Sequence, residues 1–293
     1  MQFRCSRLLN LYLHLRSLVG TLPAGSVFRL ENFLPEELFE EALRVVGVFE
    51  SSTLYIALEA GVARCKALDP ACLSSLFTSY CREISNLLSR VDRYYEEEWR
   101  SWGRRLEEAR RVLEEMWRLH GERLSAALKD LLGRSPSGKL ICDLAYACRP
   151  HAGASLLVLN PFYSPKLAHK LPLDPRKARI LPRDELIILL LHELMHYLLP
   201  ELELLAHKAS LKLGPAEAYS RLHRLMGLLE VEVLREAGFL PREPELAIEE
   251  ASAYEYLLAG LGAREALKLR EELLSKAKRG ELLEALEALL RRQ

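Results

Sequence analysis

The chain has 293 residues, 49% of them apolar and 28% charged, which excludes a disordered chain and leaves material for one large domain or two modest ones. Its 41 basic and 41 acidic residues cancel, so no overall field draws it to nucleic acid or to an anionic membrane. Asn and Gln are scarce while Leu, Glu and Arg abound, the balance expected of a protein from a thermophile.

In chain order, spacings of three and four between apolar residues predict helices over 5–19 and 35–48, the second with Pro35 at its first turn. Asn10, His14 and Arg16 interrupt the leucine-rich start, which argues against a signal peptide. No stretch reaches the ~20 apolar residues of a membrane span, so the expectation is a soluble, cytoplasmic protein. Ile84, Leu88, Val91, Tyr95, Trp99, Trp102, Leu106, Leu113 and Met116 extend one stripe, read as a single helix over 73–131 with Gly103 and Gly121 as weak points. The turn-rich run 133–138 (Gly-Arg-Ser-Pro-Ser-Gly) then divides a helical domain, 1–134, from a second domain, 135–293.

Short apolar runs at 139–147 and 154–159 are strand-like, and Asn160-Pro161 ends the second. After a proline-punctuated loop, helices follow over 184–199, 215–237, 244–259 and from 263 onward. The expected class is mostly α, α+β in detail, with a small β-sheet. None of the six cysteines forms a C-x-x-C pair, so a zinc ribbon and a thioredoxin-like motif are excluded.

Chemistry enters in the helix 184–199, where His192-Glu193-Leu194-Met195-His196 is an H-E-x-x-H sequence. Residues four apart lie one turn on along nearly the same face, so His192 and His196 can converge on one ion. Glu193, beside the first of them, can reach the ion's open position and accept a proton from a bound water. Residues 186–191, 194, 195 and 197–199 are uncharged, which marks a buried helix where two His and a Glu are costly unless partnered.

On these residues the segment resembles the active-site helix of the zincin metallopeptidases. The resemblance implies Zn2+ on His192 and His196, Glu193 as general base, a peptide or protein substrate and a small sheet carrying an edge strand. It also implies a third ligand downstream. Metzincins have Gly and His where this chain has Leu199 and Leu202, which leaves the gluzincin branch and a Glu from a later helix. Ala247, Ala251, Tyr254 and Leu258 mark an apolar face in the helix 244–259, and Glu250 falls within it. Glu250-x-x-Ala253 is also similar to a gluzincin element that often continues with Asp, where Tyr254 stands here. Glu250 is the favoured third ligand. Glu249 on the flank of that face and Glu230, with His223 two turns before it, are the alternatives. Tyr254 is expected to hydrogen-bond a ligand or an oxyanion. The rival expectations are a non-peptidase zinc amidohydrolase, and a helical interaction protein whose zinc is structural or whose cleft is blocked.

Overall fold

The computed structural model describes residues 1–21, 26–47, 61, 64, 79–152, 156–164, 170–258 and 260–291. It is mostly helical with one four-stranded mixed sheet, and no described helix is long and apolar enough to cross a membrane. The chain divides into two compact units, and each is discontinuous. The first is Met1–Glu114 with Gly138–Leu186, and the second is Glu115–Ser137 with Ile187–Gln293. The boundary expected at 134/135 therefore does not hold. The reason is strand pairing: the first residues of the chain join a sheet whose other strands follow the turn at 133–138.

In the first unit, β1 (Gln2–Arg4), β2 (Ile141–Leu144), β3 (His151–Ala152) and β4 (Leu156–Leu159) form the order β1-β2-β4-β3, with only β3 antiparallel. Register sets Gln2 beside Ile141 and Ile141 beside Leu156. Helix α1 (Arg7–Leu18) begins at Ser6, whose side chain accepts from the Leu9 amide, and every residue from Leu8 to Arg16 is buried. The polar residues that break its apolar run belong to this core. Asn10 Nδ2 donates to the Ser6 and Leu144 carbonyls, and its Oδ1 accepts from the Tyr146 amide. Helix α2 (Glu36–Val46) lies where the apolar spacing puts it.

The long helix expected over 73–131 is two helices where it is described, α3 (Ser79–Val91) and α4 (Glu96–Leu132), separated by a 3-10 turn at Asp92–Tyr94; residues 73–78 lie outside the described residues. Arg7 fastens the junction, donating to the Asp92 carboxylate (2.8 Å), the Asp92 carbonyl (3.1 Å) and Glu96 (2.5 Å). Glu96, Glu97 and Glu98 then open α4, where the helix dipole favours acids. Gly103 and Gly121 do not weaken it. A Cβ at either would press on the ring of Trp99 (2.9 Å) or Trp117 (2.7 Å), so each glycine makes room for the tryptophan one turn earlier.

His14 Nδ1 lies 2.6 Å from the Tyr146 hydroxyl, which lies 2.8 Å from that of Tyr95, while Trp102 stacks on Tyr146. Burial pushes the His14 pKa down from 6.5 to about 3. The unfolded chain therefore takes up this proton first, and His14 removes stability as pH falls from 6.5 toward 3, by up to about 1.4 kcal/mol per pH unit. Asp143 acts in the opposite sense, because burial outweighs its Arg4 partner and raises its pKa from 3.8 to about 6. Denaturant unfolding of zinc-free His14→Phe and wild-type protein at several pH values isolates the His14 contribution, since all other groups are shared. The variant's curve should gain on the wild type steadily below pH 6; parallel curves would show that His14 is not held neutral.

In the second unit, α5 (Arg183–Leu198), taken from Ile187 on, is joined by two residues to α6 (Glu201–Leu213), which no expected helix covered. Arg134 fixes that corner: it donates to the Leu198 carbonyl at the end of α5 (2.7 Å) and pairs with Glu201 at the start of α6 (2.7 Å). Gly214, at φ 81°, turns the chain into α7 (Pro215–Glu236). The helix expected over 244–259 is α8 (Pro244–Ser252) and a single turn, α9 (Glu255–Leu258). Two further helices, α10 (Ala263–Ala277) and α11 (Leu282–Arg291), follow, parted at Gly280. Two features hold α7 in place. Gly227 meets the Leu257 carbonyl so closely that a Cβ there would overlap it. Glu232, almost fully buried, is paired by Arg235 (2.6 Å) and by Arg270 of α10 (2.7 Å).

Candidate metal centre

Residues 186–191 of α5 are all buried, as are Glu193, Leu194 and Met195, while His192, His196 and Tyr197 are half-buried. From Leu186 to Leu198 the helix is thus enclosed except where it opens at the two histidines and Tyr197. Helix α7 faces it with His223 and Glu230, seven residues and so two turns apart on one face. The rings of His192, His196 and His223 lie 5.0, 5.3 and 5.7 Å apart, centroid to centroid, and one nitrogen of each lies within 4.8 Å of the others. Among the described residues this is the only group of three His, Cys, Asp or Glu side chains so arranged.

Nδ1 of each ring faces an oxygen. His192 Nδ1 donates to Glu230 Oε1 at 2.8 Å, and His223 Nδ1 donates to the Tyr219 carbonyl at 2.7 Å. His196 Nδ1 faces Glu203 Oε1 at 3.5 Å. A carbonyl or carboxylate can only accept, so Nδ1 carries a proton at His192 and His223, and Nε2 is the nitrogen left for a metal. Three imidazoles directed in this way, with oxygen partners behind them, are the donor set and surroundings of a transition-metal site.

The electrostatics agree with that fit. Burial, reinforced by the neighbouring His192 and His223, holds His196 well below its ordinary pKa, and burial with His192 lowers His223. Both are therefore neutral ligand-type imidazoles near pH 7. Burial disfavours the His192 cation, but the charge and hydrogen bond of Glu230, with help from Glu193, outweigh it and raise its pKa to about 9. Glu230 is 1% exposed and Glu193 5% exposed, and two carboxylates this deep call for positive charge nearby. A proton on His192 meets part of that demand, and a divalent cation between the rings meets more of it.

No protein-family model, curated protein or solved structure matches the chain. Its own geometry is what can be set against the expectations. His192, Glu193 and His196 lie together on α5 as the motif predicts. Glu250 does not join them: both it and Glu249 are exposed on α8, whose buried residues are Ala247, Ile248 and Ala251. The expected apolar face omitted Ile248, which swings the buried stripe away from Glu250. Tyr254 is half-buried in the turn where α8 has already ended, so it does not continue that face. The third imidazole is His223, and Glu230 meets the group through His192. The sequence signal for both was the seven-residue spacing on one helix.

Proposed function

We propose that the protein is a zinc-dependent hydrolase acting on peptide bonds, with His192, His196 and His223 as zinc ligands and Glu193 as general base. The observation that carries this reading is the convergence of three imidazoles beside a buried glutamate on an H-E-x-x-H helix. Three protein ligands suit a catalytic zinc, whereas structural sites are closed by four. The His192 and His196 side chains remain 23% and 16% exposed, so a substrate has a side from which to approach. Zinc bound here would supply a Lewis acid that polarises the scissile carbonyl and acidifies a water. Glu193 takes the proton from that attacking water and returns it to the leaving amine. Glu230 holds the His192 ring in orientation and balances charge behind it.

Purified protein from zinc-containing medium should hold about one zinc per chain and hydrolyse an unfolded protein such as casein. Dialysis against a chelator should abolish the activity, and added zinc should restore it. A wild-type preparation without stoichiometric metal, or a metal-loaded one without amide hydrolysis, would sink the proposal.

A further inference from the structure

Tyr219 bonds one of the three imidazoles directly and reaches toward a second through Glu203. Its backbone carbonyl accepts from His223 Nδ1 at 2.7 Å, one turn along α7. Its hydroxyl donates to Glu203 Oε2 at 3.0 Å, and the other oxygen of the same carboxylate lies 3.5 Å from His196 Nδ1. The Glu203 carboxylate can only accept, so the Tyr219 hydroxyl is the donor. Glu203 stands on α6 and Tyr219 on α7, the two helices joined at Gly214. The Tyr219 ring lies 6.4 Å from that of His223.

This arrangement is asymmetric. Glu230, behind His192, is buried and anchored, whereas the Glu203 side chain is 60% exposed and Tyr219 is 39% exposed. An exposed glutamate has several rotamers open to it, and a single hydrogen bond from a neighbour is what selects one. We infer that Tyr219 and Glu203 form a positioning clamp: Tyr219 holds Glu203 against His196 with its hydroxyl while holding His223 with its carbonyl, so that the α6–α7 hairpin sets the geometry of two zinc ligands. Neither residue touches the reacting atoms. The inference rests on the zinc-site reading, and it adds that ligand geometry is set from the exposed side of the site as well as from the buried one.

The test is zinc affinity, by competition with a chelator of known affinity, for wild type, Tyr219→Phe, Glu203→Ala and the double variant. Cobalt-substituted visible spectra of each report ligand geometry directly. Glu203→Ala should weaken zinc roughly 10–100-fold, Tyr219→Phe by a smaller factor, and the double variant no further than Glu203→Ala alone, because both act through one contact. The cobalt bands should shift in Glu203→Ala, while the melting temperature of the metal-free proteins stays at the wild-type value. Wild-type affinity and superposable cobalt spectra in both single variants would overturn the clamp and leave the zinc site standing. A fall in metal-free melting temperature with unchanged cobalt bands would overturn it in favour of a structural role. A wild-type chain that takes up neither zinc nor cobalt would remove the zinc reading, and the clamp with it.

Discussion

Glu193→Gln protein should bind zinc like the wild type and hydrolyse peptides slower by roughly 10²–10⁴-fold. Gln keeps the size of the side chain and its place on α5, so the position of the neighbouring His192 ring is not disturbed. What it loses is the ability to take a proton from water. Because Glu193 is 5% exposed, solvent cannot readily substitute for it. The loss should fall on kcat, with KM little changed, since a base acts on the transition state and contributes little to binding the substrate. Zinc content by metal analysis and kcat from initial rates on one peptide substrate separate the two effects. Full turnover in a zinc-loaded variant would remove Glu193 from the mechanism.

His223→Ala should lower zinc affinity by about 10³-fold or more, whereas Glu250→Ala should leave it unchanged. His223 is one of three imidazoles whose nitrogens lie within 4.8 Å of each other, and removing it leaves two ligands. Glu250 is exposed on another helix. Glu230→Gln belongs in the same series: as the partner behind His192 it should cost roughly 10–100-fold. Should Glu230→Gln lose zinc as completely as His223→Ala, Glu230 would itself be a ligand. Should Glu250→Ala lose it, the assignment of His223 would be wrong.

Helix was legible in most places where apolar residues recur at three and four, because that spacing is what a one-sided core demands. The helix that carries the H-E-x-x-H sequence was legible twice over, from the motif and from its uncharged neighbours. Helix α6 carries the same kind of stripe in Leu202, Leu205, Ala206 and Ala209. It went unassigned because only Leu199 and Pro200 separate it from α5, with no run of turn residues to announce a new element. Strand β1 is three residues long, too short to show alternation, and its partner lies more than 130 residues away in sequence. The third imidazole could not be read from phase alone. Phase places His223 and Glu230 on one face of α7 and leaves open which helix that face meets. For α8 the phase was misjudged, because the helix ends at Ser252 and Ile248 shares its buried side.

The interleaving of the two units has a practical meaning for anyone handling the gene. The turn at 133–138 looks like a place to cut, and a clone starting there would contain every residue of the proposed site. It would lack residues 115–132, which belong to the unit that contains the site, and would carry strand β2 without β1, its parallel neighbour. Stop codons and start codons can only sever a chain once, whereas separating these units takes three cuts. Neither unit is one continuous stretch of sequence, so dissecting the site calls for point substitutions in place of deletions.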